Sequence, residues 1–218
     1  MGKRKTPFRR FALIGLSGLL LTASATIAAE QIYMEAKKRV ASTLIRDAYA
    51  RHLDDGRFHR PWSWADFYPL ARLCWIGDDG KEREGRIVLS GASGPSLAFG
   101  VGHIDGTSAP LASGNCVLAG HRTAEFRFLR HLQVGDKLRL SGRSEERSYI
   151  VAGLEVVSYD DVRPVEAGGR DRLTLITCYP FDGLRTSKER YVVYCRPVEP
   201  VRAGGSTAVA SDEVRVGA

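Results

Sequence analysis

From Ile87 onward the apolar residues come in short, β-rich runs separated by turn residues. Ile87-Val88-Leu89, Cys116–Ala119, Lys137–Leu140, Tyr149–Val157, Leu173–Thr177 and Tyr191–Cys195 are such runs. Gly91–Gly94 and Val134-Gly135-Asp136 punctuate them. Segments this short are too brief for ordinary helices, and each can bury a sheet face, so the pattern predicts a mainly β domain of barrel type. Gly153, inside the longest run, predicts a bulge. Leu97–Ile104 reads as a helical turn followed by a loop, and Glu125–Leu132 as a short helix.

The first third of the chain follows other rules. Lys3, Arg4, Lys5, Arg9 and Arg10 precede Phe11–Ala29, which carries no charge. That length just spans a bilayer, which needs about 20 residues. The basic cluster places the N-terminus in the cytoplasm and everything after Glu30 outside. A cleaved signal peptide is the rival reading, since Ala23-Ser24-Ala25 and Ile27-Ala28-Ala29 offer small residues. Both readings export the domain. Those five charges account for most of the formal net charge of +7. The remainder is ordinary, with no basic stripe, so nucleic acid is not an expected partner.

Glu30–Leu53 lacks Gly and Pro, and Ile32, Ala36, Val40, Leu44, Ile45, Ala48 and Tyr49 form one stripe, the pattern of an amphipathic helix. His52 and His59 sit among polar residues and read as exposed. Pro61–Trp75 is dense in aromatics, and Trp62 and Trp64 would share a face of an extended segment. It reads as a clamp onto the barrel surface, or as a substrate wall or interfacial belt. Gly77–Gly85 reads as a turn, and the stretch from Glu199 on as a mobile tail. The expected plan is 1–29 basic start and anchor, 30–60 helical linker, 61–198 barrel domain with its leading aromatic segment, and 199–218 tail.

Three residues that carry chemistry sit at strand edges. The run Leu173–Thr177 ends on Cys178, and Tyr179-Pro180 follows, where a strand must stop because proline cannot donate to the ladder. His121 follows Cys116–Gly120, and Arg190 opens Tyr191–Tyr194. Amide cleavage by a thiol needs a nucleophile, a proton donor for the leaving amine and stabilisation of the oxyanion. Cys178 supplies the first, His121 the second, and the forked, permanently charged Arg190 the third. Positive charge nearby also favours the thiolate. Thr177 is a weaker candidate for a hydroxyl or backbone contact near the oxyanion. The segment holding Pro180, Gly183 and Ser187 would form a substrate-facing loop. The bland alternatives are a core thiol, a solvent-facing histidine and an edge charge. Cys116 lies five residues from His121 and Cys195 five from Arg190, an odd offset that puts each on the opposite face. Those two read as packing residues or a bridge. No CxxC is present, and His103, Asp105, Glu125, Asp160 and Asp161 form no metal-ligand spacing, so no cofactor or metal is expected.

The run TLITC, the histidine in LAGHRT upstream of it and the arginine in RYVV downstream together resemble the signature of the sortases, over roughly Ile87–Val198. Pro61-Trp62-Ser63-Trp64-Ala65-Asp66, running on to Pro69 and Ala71-Arg72-Leu73, resembles the segment before the barrel in the class GN sortases of proteobacteria. The stretch Arg122–Phe126 departs from the family, whose members often carry an acidic residue and a second histidine there. The resemblance implies an eight-stranded barrel with short helices behind a membrane anchor. It implies a membrane-anchored cysteine transpeptidase that forms an acyl-enzyme on Cys178. The substrate would be an exported partner bearing an LPXTG-like C-terminal signal, and the acceptor an amine. Two alternatives stand beside it: a hydrolytic cysteine peptidase of the same fold, and a non-catalytic, membrane-tethered β-barrel binding a peptide or glycan.

Overall fold

The computed structural model describes residues 7–167, 169–182 and 188–198, with side chains from residue 15 onward. Eight strands build the domain: β1 (Pro69–Ile76), β2 (Glu82–Leu89), β3 (Val101–His103), β4 (Asn115–Ala119), β5 (Lys137–Ser141), β6 (Glu146–Ser158), β7 (Arg172–Tyr179) and β8 (Glu189–Pro197). They close into a barrel in the order β1-β2-β3-β4-β7-β8-β6-β5. Two of its neighbour pairs are parallel, β2 with β3 and β4 with β7. A long helix, α1 (Pro7–Asp55), precedes the barrel, and α2 (Gly94–Phe99) links β2 to β3. A 3-10 turn covers Arg127–His131.

Alternation fixes which face is core. Ala71 and Leu73, Cys116 and Leu118, Leu138 and Leu140, Tyr149 and Val151, Leu173 and Leu175, and Val193 and Cys195 are buried together, two residues apart on six different strands. The period-2 geometry of a strand sends such pairs to one side. Each fully buried Leu contributes roughly 1.5–3 kcal/mol relative to exposure. Phe126, Phe128 and Leu129 close the core from the loop after β4. The expected bulge at Gly153 is present, where the β6–β8 register shifts between Val151 and Gly153.

Several expectations are corrected. The segment 61–75 does not merely precede the barrel, because Pro69–Ile76 is β1 and seals the sheet by pairing with both β2 and β5. The turn expected over 77–85 ends at Lys81, whose carbonyl accepts from the Gly77 N–H, and Glu82 already belongs to β2. The charged start of β2 lies on the outer face, where Glu82 pairs with Arg72 at 2.7 Å and Arg139 at 3.2 Å. Such a strand carries no apolar signature. Trp62–Ala65 is a turn closed by the Ala65 N–H on the Trp62 carbonyl, so the two tryptophans are not in an extended run. Trp62 packs edge-on against Phe67 and Phe99, whereas Trp64 projects outward.

The two N-terminal helices expected on either side of residue 30 are one. Nothing between Gly18 and Gly56 breaks the helix, and Gly56, at φ +76°, ends it by donating to the His52 carbonyl. Only part of the expected stripe is packed: Ile45, Ala48 and Tyr49 are buried, joined by Ala41 from outside it, while Ile32 and Val40 are exposed. His52 is buried, stacked on Phe58 at 4.8 Å, with Nδ1 3.1 Å from the Arg57 carbonyl oxygen. Among the described residues no helix is long and apolar enough to cross a membrane. The stretch Phe11–Ala29 begins ahead of the described side chains. The basic residues before Pro7 and the tail expected from Glu199 on lie outside the described residues.

At the end of the barrel where β4 and β7 begin, Asn115 ties the preceding loop to the sheet. Its amide donates to the carbonyls of Pro164 and Glu166, each at 3.0 Å, and its own oxygen accepts from the Thr174 hydroxyl at 2.8 Å. Asn115→Ala strands these partners, and each buried orphan costs about 1–3 kcal/mol. Urea denaturation is expected to reveal a loss of about 2 kcal/mol or more. A change within about 0.5 kcal/mol, the level of an ordinary surface substitution, would show that the loop holds without it.

Candidate active site

Cys178 is placed by the ladders on both sides of β7. Across β7–β8 it faces Arg190 directly in register. On the other side β4 runs parallel, with Ala119 opposite Ile176, and the Gly120 N–H extends that ladder to the Ile176 carbonyl at 3.2 Å. His121 follows at once. All three expected residues therefore sit at one end of adjacent strands β4, β7 and β8. Parity then selects the face. Leu173 and Leu175 point into the core, and Val193 and Cys195 do the same on β8. Cys178 and Arg190 fall on the opposite side, where both are half-buried and reachable. The Tyr179–Pro180 peptide bond that follows is cis.

The loop carrying His121 is held tightly. The His121 carbonyl accepts from the N–H groups of Ala124 at 3.2 Å and Phe126 at 3.0 Å. The Phe126 ring lies against the backbone of Gly120, so close that a Cβ there would stand 2.8 Å from its Cγ. Glycine is required because no side chain fits between the buried ring and the strand end. Thr177 supplies a further clamp. Its buried hydroxyl donates to the Gly120 carbonyl at 2.7 Å. That hydroxyl is already committed and points to the core side, away from the face of Cys178. The sequence offers Thr177 a hydroxyl or a backbone contact near the oxyanion, and the hydroxyl is the one bonded to Gly120, the residue before His121.

Residues not singled out from the sequence shape the neighbourhood. Arg122 donates to the Pro180 carbonyl at 2.9 Å, and so links the His121 loop to the chain leaving Cys178. Arg130 pairs with Asp182 at 2.7 Å and stands over the Phe181 ring at 5.2 Å. Tyr179, Phe181 and Tyr191 pack as three rings beside Cys178 and Arg190. Their spacing in the sequence, within three residues of Cys178 or next to Arg190, was the available clue. Glu125, in the stretch that departs from the family pattern, pairs with Arg86 at 2.9 Å. Gly183 and Ser187, expected in a substrate-facing loop, lie outside the described residues.

The other cysteines are different in kind. All four are free thiols, and Cys74, Cys116 and Cys195 are buried. Burial pushes the Cys74 thiol up to about 11, the Cys116 thiol up to about 12, and Cys195 higher still. Cys116 and Cys195 both pair in register with Leu173, inside the core, as packing residues. No bridge joins any of them. His103, in β3, has Nε2 2.9 Å from the Ser108 carbonyl oxygen and plays a structural part. Among the described residues, no cluster of His, Cys, Asp and Glu is arranged to hold a metal ion.

The Thr177 clamp makes a measurable claim. Thr177→Val keeps the shape but strands the Gly120 carbonyl, a loss of roughly 1–3 kcal/mol. Thr177→Ser retains the donor, and urea denaturation is expected to place it closer to the parent than valine. Equal stability of the valine variant would show that the hydroxyl is dispensable.

Comparison with known proteins gives a consistent picture. A family model described as a sortase domain matches residues 83–198. Sortase D of Bacillus subtilis is 33% identical over 112 residues, covering 51% of this chain and 57% of that protein. Sortase A of Bacillus anthracis is 32% identical over 138 residues, covering 57% of this chain and 64% of that protein. The chain thus spans somewhat less than two thirds of these relatives' length. The solved sortase C-1 of Actinomyces oris superposes with a TM-score of 0.51 at 29% identity, covering 60% of this chain and 72% of that one. The fold is also that of a Clostridium perfringens sortase D5 transpeptidase, with a TM-score of 0.58 at 20% identity, covering 73% of this chain and 99% of that one. With the family model matching more than half its length, over the residues that form the barrel from β2 to β8, the chain belongs to the sortase family of cysteine transpeptidases.

Proposed function

We propose that this chain is a membrane-anchored sortase that cleaves an LPXTG-like C-terminal signal of an exported partner and passes the acyl fragment to an amine. The observation that carries the proposal is the register of Cys178 opposite Arg190, with His121 on the loop leaving the parallel neighbour of β7. Cys178, as thiolate, attacks the scissile carbonyl, and the C=O π electron pair moves onto oxygen to form an oxyanion beside the Arg190 guanidinium. Two parallel N–H donors on one planar fork suit a carbonyl that gains charge. As the tetrahedral intermediate collapses, His121 gives its proton to the departing amine, leaving a thioester on Cys178. An acceptor amine then attacks the thioester, its proton passes to His121, and the thiolate is released. Water in place of the amine gives hydrolysis from the same intermediate.

The anchor reading rests on Phe11–Ala29, uncharged behind five basic residues, and the catalytic domain then stands on the extracytoplasmic, periplasmic face. The assignment to the class GN sortases of proteobacteria rests on the aromatic segment from Pro61 to Leu73. The exported substrate rests on kinship with sortases.

Turnover of a peptide carrying an LPXTG-like signal orders the roles. Cys178→Ala is expected to abolish it. His121→Ala is expected to lose roughly 100- to 10,000-fold, the scale of one general acid. Arg190→Lys keeps the charge but not the fork, and is expected to remain strongly impaired. Near-parental turnover by Cys178→Ala would overturn the proposal in favour of a binding module, whereas full activity of Arg190→Lys would remove only the fork.

A further inference from the structure

An apolar groove of about 810 Å³ lies away from Cys178, between α1 and the aromatic segment, lined by Tyr33, Val40 and Leu44 on the helix and by Trp62, Trp64 and Phe99 opposite. Its rim carries exposed apolar groups. Trp64 is 83% exposed, Tyr33 65% and Val40 61%. The charged residues in its lining are Lys37 and Asp66, and Lys38 adjoins them on the helix. Large aromatics left in water beside basic residues have the composition of a membrane interface, where an apolar ring body and a polar tip are both satisfied.

Continuity of the helix says which surface covers this groove. The groove wall and the charge-free stretch Phe11–Ala29 are parts of the same α1. At 1.5 Å per residue that stretch is about 28 Å long, slightly short of a hydrocarbon core of about 30 Å. Any tilt shortens its reach across the core further, and membrane helices tilt by about 20° on average. The shortfall is made up by drawing the next exposed apolar residues, Ile32 and Tyr33, to the edge of the core. Tyr33, on the groove's lip, then lies at the headgroup layer, and Trp64 lines the same groove. Lys37 and Lys38 meet anionic phosphates there, each basic residue near such a surface being worth about 1 kcal/mol.

We infer that this groove seats the barrel on the outer interface of the bilayer, with Trp64 and Tyr33 as the lipid-contacting rim. The inference rests on the proposed membrane anchor. It gives α1 a second task beyond tethering, since one rigid helix crosses the membrane and also offers the wall on which the domain lies down. The orientation of the catalytic face above the membrane is then fixed rather than free.

The test uses the full chain, reconstituted from detergent into vesicles of phosphatidylethanolamine and phosphatidylglycerol doped with a headgroup-nitroxide phosphatidylcholine. Tryptophan emission is read on vesicles recovered by flotation. Trp64 is one tryptophan of three, so the nitroxide is expected to remove a clear part of the emission, up to about a third for equal emitters. Trp64→Phe should float equally well and lose that nitroxide-sensitive component. A chain that floats but shows no Trp64-dependent quenching would overturn the lipid seat and leave the anchor standing. Trp64 shielded from aqueous iodide only at high protein-to-lipid ratio, without nitroxide quenching, would assign the groove to a second copy and likewise overturn the inference. Failure to float would remove the anchor and this inference with it.

Discussion

The double hydrogen bonding of β7 is the constraint on which the candidate site depends. The strand is paired along its length with β4 in parallel and with β8 in antiparallel. Neither neighbour can slip by one residue without sending its own inward side chains, Cys116 and Leu118 on β4 or Val193 and Cys195 on β8, out of the core. The cost of that slip, several buried side chains at roughly 1.5–3 kcal/mol each, holds Cys178 opposite Arg190. Hydrophobic burial inside the barrel therefore sets the geometry of polar groups outside it. The same ladder delivers His121, because Gly120 continues the pairing to Ile176 and the Thr177 hydroxyl holds the Gly120 carbonyl. The chemistry-bearing face and the core face belong to the same strands and differ only in parity.

Much of this was legible in the sequence, and what was legible shares a cause. β7, β8 and β4 announce themselves because both faces of the central strands are covered, leaving β-rich apolar runs. Their ends carry the three site residues, and the odd offsets of Cys116 and Cys195 correctly assign those thiols to packing. β1 and the outer part of β2 were hidden. Their outward residues Arg72, Glu82 and Arg83 satisfy one another or water rather than a core, and Pro69 sits at the strand start where it looks like a breaker. The continuity of α1 was hidden for a different reason. A change from apolar to polar composition near residue 30 does not break the backbone. The core-side clamp by Thr177 was readable in principle from parity, but the adjacency of Thr177 and Cys178 in the chain suggested a shared role that alternation forbids.

The surroundings of Cys178 separate it from the other three thiols by accessibility. Cys74, Cys116 and Cys195 are sealed in the fold, and burial raises each of them away from the thiolate. Cys178 stands near a strand end, in register with Arg190 across the ladder, with Arg122 and Arg130 holding the segment that follows it. Basic groups in that neighbourhood suit an oxyanion, which is part of the electrostatic demand of acyl transfer.

The most direct measurement is the site of the covalent intermediate. The full chain incubated with an LPXTG-like peptide, without amine acceptor, is quenched in acid and mapped by peptide mass spectrometry. The account requires the acyl fragment as a thioester on Cys178, discharged when an amine is added before the quench. An adduct on Cys74, Cys116 or Cys195, or product formed with Cys178 unable to carry the acyl group, would contradict it.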